Sequence, residues 1–369
     1  MTAPAPRDPV ADLRRIAFLL ERTLESSYRV KAFRTAATAL AALPPDDVEL
    51  LASTGGLRGI KGIGERTAAV VEQSVAGSVP EYLSALEEGA AHPLAESGQA
   101  LRALLRGDLH THSDWSDGGS PIDEMARTAR DLGHEYTALT DHSPRLTVAN
   151  GLTVERLRRQ LDVVAGVNDG LDGAADGGFR LLSGIEVDIL SDGALDQTDE
   201  MLDRLDVVVA SVHSELRMPA DAMTRRMLAA VADPHTDVLG HCTGRYVTER
   251  RFANDSLTGR TRSGKARPES QFDAERVFAA CAERGVAVEI NSRPERLDPP
   301  LRLLRLAVEA GCLFALDTDA HAPGQLDWQP LGCARAEAAG VDPASVVTTW
   351  PLADLLAWTA DHSHRPARA

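Results

Sequence analysis

Between Ala11 and Glu25 the apolar residues Leu13, Ile16, Ala17, Leu20 and Leu24 recur at helical spacing. Tyr28–Leu43 continues with Val30, Phe33, Ala37, Leu40 and Leu43 and stops at Pro44-Pro45. Asp46–Ser53 predicts a third helix and Glu65–Ala76 a fourth. Residues 91–106, with Pro93, Gly98 and a short Leu101–Leu105 helix, predict a linker between a domain at 1–90 and another at 107–369. Past the linker the period changes. Short apolar runs predict strands at Gly107–His112, Glu135–Asp141, Phe179–Val187, Asp206–His213, Asp237–His241, Val286–Asn291 and Cys312–Asp319. Helices are predicted between them at Ile122–Leu132, Val154–Val167, Asp199–Leu205, Ala220–Val231, Asp273–Arg284 and Leu301–Ala310. Such alternation predicts an α/β fold: a distorted, seven-stranded β/α (TIM-like) barrel preceded by a small all-α domain. Tyr246–Gln271, rich in Arg, Ser and Gly and without periodicity, predicts a long surface loop.

Bulk properties narrow the class. An apolar fraction of 43% in 369 residues is ample for a core. No apolar run approaches the roughly 18 residues of a membrane span, so no membrane partner is expected. Met1–Val10 lacks the basic-then-apolar pattern of a signal peptide, and Cys242, Cys281, Cys312 and Cys333 are scattered; both point to a cytoplasmic setting with reduced thiols. Residues 1–106 hold 12 Lys/Arg against 13 Asp/Glu, leaving 27 against 42 in residues 107–369. An acidic second domain repels polyanions at long range, which excludes nonspecific coating of nucleic acid by it. Bound divalent cations would reverse that sign locally.

Candidate chemistry collects at the predicted strand ends. Asp108-Leu109-His110-Thr111-His112 is followed by Ser113-Asp114-Trp115-Ser116-Asp117-Gly118. Later segments match it: Thr140-Asp141-His142-Ser143, Gly184-Ile185-Glu186, Ser211-Val212-His213-Ser214, Gly240-His241-Cys242 and Thr318-Asp319-Ala320-His321. On a strand, side chains alternate, so both imidazoles of H-x-H face one side and can share an ion. Asp319 and His321 repeat that geometry as D-x-H. A single H-x-H would be weak evidence, but six such segments at strand ends point to a metal cluster. Mixed imidazole and carboxylate donors suit Mn, Zn or Fe.

In the first domain, Gly59-Ile60-Lys61-Gly62-Ile63-Gly64 lies between two helices, where backbone amides at a helix N-terminus make an anion site; a plain αα turn would look the same. Together with Tyr28-Arg29-Val30-Lys31-Ala32-Phe33-Arg34-Thr35-Ala36-Ala37, this run resembles the helix-hairpin-helix region of family X DNA polymerases. That resemblance implies DNA contact through Lys61, Gly62, Gly64 and Arg66, with a structural cap as the alternative. Members with lyase activity carry a lysine where this chain has Val70, which argues against lyase chemistry.

The ordered set of H-x-H, D, T-D-H, E, H, G-H and D-x-H resembles the polymerase and histidinol phosphatase (PHP) superfamily. Within it, Arg106-Gly107-Asp108-Leu109-His110, Thr140–Ser143, Gly184–Asp188 and Thr318–His321 are closest to the PHP domain of bacterial family X polymerases, here without a polymerase palm. By that resemblance, two or three divalent ions are expected. One would be held by His110, His112, Glu186 and Asp319, a second by Glu186, His213 and His241, and a third by Asp117, His142 and His321. The implied activity is hydrolysis of phosphoesters by metal-activated water, on DNA ends as a 3′-exonuclease or 3′-phosphatase. The alternative is a small-molecule phosphomonoester phosphatase, histidinol-phosphatase-like or nucleotide-directed, with the helical domain as a cap. Glu186, Asp319 and His142 are the expected catalytic residues, with Arg145 and Arg245 (and Arg296) able to grip phosphate or to serve as ordinary ion-pair residues. Asp108 and Asp141 either orient imidazoles or end strands. No obligate protein partner is implied. His92, His134, His235, His362 and His364 lie outside every motif, and Cys242 is expected to be a small buried neighbour of a ligand.

Overall fold

Proline and capping residues punctuate a run of five helices at the start of the computed structural model, which describes residues 7–171, 178–247 and 266–361. The chain divides into two compact units, Met1–Pro93 and Leu94–Ala369.

In the first unit α1 (Pro9–Arg22) starts where the Asp8 carboxylate accepts the Val10 N–H at 2.8 Å, with proline in the first turn. Its Leu13, Ile16, Ala17 and Leu20 stripe is buried with Phe33, Ala37 and Leu40 of α2 (Ser27–Ala41). Arg34 of α2 grips Glu21 with two bonds, 2.9 and 2.8 Å, across that interface. After α3 (Pro45–Thr54) comes a tight turn into α4 (Glu65–Val75), and α5 (Glu81–Ala90) closes the bundle. Gly62 in that turn has φ +97°, and a Cβ there would lie 2.6 Å from the Thr35 methyl, so only glycine fits. Ile63 is buried and anchors the turn to the core.

The stretch expected as a linker contributes to the second unit. Leu101 and Leu105 enter its core, and the Gly98 N–H donates to the Glu337 carboxylate at 2.6 Å. Burying those leucines is favourable, so the chain does not run free here.

Seven strands follow: β1 (Gly107–Thr111), β2 (Tyr136–Leu139), β3 (Arg180–Asp188), β4 (Val207–Ser211), β5 (Val238–Leu239), β6 (Ala287–Asn291) and β7 (Phe314–Asp317). They lie in sequence order, each parallel to the next, with helices between them, as a nearly closed barrel. Several ladders stop short of the predicted strands, β2 at Leu139 and β7 at Asp317, and the side chains of interest sit on the segments just beyond.

Between β1 and β7 the ladder is replaced by a seam. One parallel bridge joins Thr111 to Ala320. Below it, Asp317 accepts the Leu109 N–H at 2.8 Å, and Asp108 accepts both the N–H and the hydroxyl of Thr318. Carboxylates thus stand in for strand hydrogen bonds where an eighth strand would be.

After the last strand come two helices that were not anticipated, Gln329–Ala339 and Leu352–Ala360. The first is rich in alanine and has no clear apolar stripe. The second covers the N-terminal end of the barrel, where Val347 and Leu355 join Tyr136, Val209 and Ala315 in the core. Of the predicted loop Tyr246–Gln271, residues 248–265 lie outside the described residues, while Tyr246 and Arg267 exchange two backbone bonds of 3.0 Å. Among the described residues, no helix is long and apolar enough to cross a membrane.

His134, before β2, is buried, and its Nδ1 sits 3.2 Å from the Thr137 hydroxyl. Burial, helped by Arg102, lowers its pKa from 6.5 to about 4. The unfolded chain therefore binds the extra proton first as pH falls. The neutral imidazole contributes stability above pH 6.5 that is lost as pH drops toward 4. His134→Gln should remove this dependence. By urea unfolding, the stability difference between wild type and variant should narrow by about 3 kcal/mol between pH 7 and 4. An unchanged difference would show that His134 is not the titrating group.

Candidate metal centre

The C-terminal ends of the parallel strands converge, and there the predicted donors meet. His110 lies on β1 and His112 just beyond it, with ring centroids 5.1 Å apart on one side of the strand. Asp117 is on the following loop, His142 follows β2, Glu186 is on β3, His213 follows β4, His241 follows β5, and Asp319 and His321 follow β7. All nine predicted ligands come together at this end.

Glu186 is the hub. Its fully buried carboxylate has Oε2 2.8 Å from His142 Nδ1, 3.3 Å from His110 Nε2 and 3.6 Å from His112 Nε2. Oε1 is 2.8 Å from His241 Nε2 and 3.2 Å from His213 Nε2. Asp319 Oδ1 is 3.5 Å from His112 Nε2, and Asp117 Oδ1 lies 3.4 Å from both His142 Nε2 and His321 Nε2. Among the described residues, three donor groups form within 4.8 Å: His112, Asp117, His142 and His321; His110, His112 and Glu186; and His142, Glu186 and His213. They overlap the predicted assignment, with His112, His142 and Glu186 each reaching two groups, while His241 and Asp319 stand beside the groups without joining one.

The donor atoms fit divalent cations on a structural test. His110 Nε2, both nitrogens of His112 and His213, and Glu186 Oε2 are buried without a hydrogen-bond partner among the described residues. Buried polar atoms are ordinarily satisfied, and orphaning several in one place is costly. A cation shared by their lone pairs removes that cost. In the same environment burial alone would raise the Glu186 carboxyl, yet His110, His213 and His142 hold it well below the ordinary range. Burial, then repulsion from His321 and His142, drives His112 well below its ordinary value, so it stays neutral and able to ligate.

Asp319 is held in an unusual backbone state, φ +54°. That turn brings its own carbonyl to His321 Nδ1 at 2.9 Å, where the Arg293 guanidinium also reaches it at 3.0 Å, and leaves Nε2 facing Asp117. Arg296 Nε donates to Asp319 Oδ2 at 2.8 Å, and Arg293 Nη1 to the Asp319 carbonyl at 3.0 Å.

The other predicted residues separate. Arg145 is exposed, and among the described residues it is its backbone that is engaged, the N–H by Asp196 and the carbonyl by the Thr147 N–H. Arg245 donates to the Arg296 and Leu297 carbonyls and pairs with Glu269 at 3.4 Å, so it braces the loop. Asp141 accepts from Ser113, Ser116 and Gln160 and holds the Asp117 loop; Asp108 closes the seam and accepts the His110 N–H. Both bond backbone and neutral side chains, not imidazoles. The carboxylates beside imidazoles are Glu289, 2.6 Å from His110 Nδ1, and Asp188, 3.7 Å from His213 Nδ1, which sequence reasoning missed. A charged residue inside the apolar run Val286-Ala287-Val288-Glu289-Ile290 was the available signal. Cys242 is buried with its thiol pKa well raised by burial and by Asp298, so it is a poor nucleophile.

In the helical unit Lys61, Gly62, Gly64 and Arg66 are all exposed. The Gly64 N–H donates to Thr67 Oγ1 at 2.9 Å, and Arg66 lies over the Tyr82 ring at 5.3 Å. Val70 is buried in the helical core, where a lysine has no place.

Comparisons with known proteins match both parts. Residues 108–293 match the PHP domain and residues 5–78 a helix-hairpin-helix domain. The chain is 36% identical over 265 residues to the DNA polymerase/3′-5′ exonuclease PolX of Bacillus subtilis, covering 72% of this chain and 42% of that protein. It is 28% identical over 229 residues to a probable phosphatase of a Thermoanaerobacter species, covering 58% of this chain and 78% of that one. A solved histidinol phosphate phosphatase from Lactococcus lactis, in complex with zinc, L-histidinol and phosphate, aligns at 18% identity and TM-score 0.40, covering 64% of this chain and 94% of that one.

Proposed function

The chain belongs to the PHP-domain family, and we propose that it is a metal-dependent phosphoesterase acting on DNA ends, as a 3′-exonuclease or 3′-phosphatase. The convergence of nine imidazole and carboxylate donors at the C-terminal end of the barrel carries this reading. Two or three divalent ions bound there would activate water and draw charge from a phosphoryl group. The chain's own residues hold the remaining order: Glu186 faces five imidazoles, Asp117 closes the outer group, and Arg296 adjoins Asp319 as the best placed of the predicted arginines to meet a phosphoryl oxygen. DNA as substrate rests on the helix-hairpin-helix match and the exposed Lys61 and Arg66. Four unpaired, buried cysteines suit a reducing, cytoplasmic setting.

A small phosphomonoester is the second reading, favoured by the acidity of residues 107–369 and by the likeness to a probable phosphatase. Metal-reconstituted full-length protein, assayed on 3′- and 5′-labelled DNA and on a phosphomonoester panel, separates the two. Release of nucleotide or phosphate from 3′ ends supports the first. Inert DNA with rapid monoester turnover replaces it with the second.

Lys61→Ala with Arg66→Ala should lower DNA affinity in the full chain and reduce the log–log salt slope by about 2, because each neutralised phosphate releases close to one counterion. Turnover of a small monoester should not change. An unaltered slope would make the helical unit a cap.

A further inference from the structure

β6 supplies none of the nine donors, yet two of its inward side chains, Glu289 and Asn291, are fully buried against the cluster. Two residues apart on one strand, they share a face. Glu289 Oε1 lies 2.6 Å from His110 Nδ1, and Oε2 accepts the backbone N–H of His241. Asn291 Nδ2 bridges Glu289 Oε2, at 3.3 Å, to Asp319 Oδ2, at 3.2 Å. One strand therefore touches ligands that come from β1, β5 and β7.

From this we infer that Glu289 is the positioning residue that fixes the His110 tautomer and thereby sets the metal affinity of the inner site. Glu289 Oε2 already accepts from the His241 N–H and the Asn291 amide, so the group faces its neighbours as an acceptor and the proton between it and His110 belongs to Nδ1. The Nε2 lone pair then faces Glu186 Oε2, 3.3 Å away. Glu289 is not itself a ligand of that ion, because it meets the imidazole at the opposite nitrogen. Its second oxygen holds His241 by the backbone, so one group sets the placement of two donors. A carboxylate behind a ligating imidazole orients the ring and raises its basicity, and its loss typically weakens binding 10- to 100-fold. Glutamine cannot substitute, since only one of its terminal atoms accepts, while His110 and His241 each present a donor.

The inference rests on reading the cluster as a metal centre, and its test keeps the two apart. In zinc-loaded wild type, long-range 15N–1H spectra should show His110 protonated at Nδ1 and ligating through Nε2, with signals assigned by their loss in His110→Gln. Chelator competition on Glu289→Gln should show zinc affinity about 10- to 100-fold below wild type. A wild-type His110 protonated at Nε2, or Glu289→Gln binding zinc as tightly as wild type, overturns the role of Glu289 alone. If wild type takes up no zinc, the metal reading falls and this one with it. Should Glu289→Gln fail to fold, the wild-type spectrum decides.

Discussion

Glu186→Gln should lower phosphoesterase activity by at least about 10³-fold and cost the protein more than one bound ion. The carboxylate stands within 3.6 Å of five imidazoles, bridging donors from β1, β2, β4 and β5. A neutral amide of the same shape keeps the packing and removes the charge that lets these donors share cations. Losing that electrostatic contribution amounts to several kcal/mol in the transition state, and each 1.36 kcal/mol is tenfold in rate. His321→Ala, on the outer and partly exposed group with Asp117, should cost less metal than Glu186→Gln. Metal content by elemental analysis, read beside activity, checks both. A Glu186→Gln protein that keeps its full metal content and a tenth of its activity would sink the bridging role.

Chelation should abolish activity and destabilise the barrel, and Mn or Zn should restore both. An ion that binds the folded state alone stabilises it by about 2.7 kcal/mol at a hundredfold excess over Kd. For a unit of this size that corresponds to a melting temperature lower by about 5 °C after chelation. Cys242→Ala should keep most activity, because the buried, protonated thiol takes no part. The decisive measurement is turnover after exhaustive metal removal. Persisting turnover, or a trapped covalent phospho-enzyme, would show that the chemistry runs through a protein nucleophile instead.

The cluster was legible because each ligand but Asp117 sits beside a strand end that an apolar run announces, and period-two alternation makes H-x-H and D-x-H diagnostic of shared facing. Glu289 and Asp188 escaped because an isolated carboxylate carries no spacing signature; only its cost in an apolar strand hints at a partner. Arg245 misled for the converse reason. A guanidinium after a strand looks free to bind phosphate, and only the fold reveals the Arg296 and Leu297 carbonyls that occupy it. In the same way, Leu101 and Leu105 lie in a stretch that reads as a linker but have core to bury against, and Gln329–Ala339 is helical despite weak periodicity. Local pattern identified elements whose two faces differ; those decided by tertiary partners it could not.

Because the seam brings the first strand beside the last, the centre has a timetable during synthesis. His110 and His112 leave the ribosome 209 residues or more before His321, which is roughly 10–40 s at 5–20 residues per second. Through that interval the early histidines, joined by Glu186 74 residues after His112, are made without Asp319 and His321, and a ribosome stalled short of residue 319 leaves a chain with a partial set of donors. The nascent chain is thus a poorer and less selective chelator than the finished protein, and correct loading belongs to the moment the barrel closes.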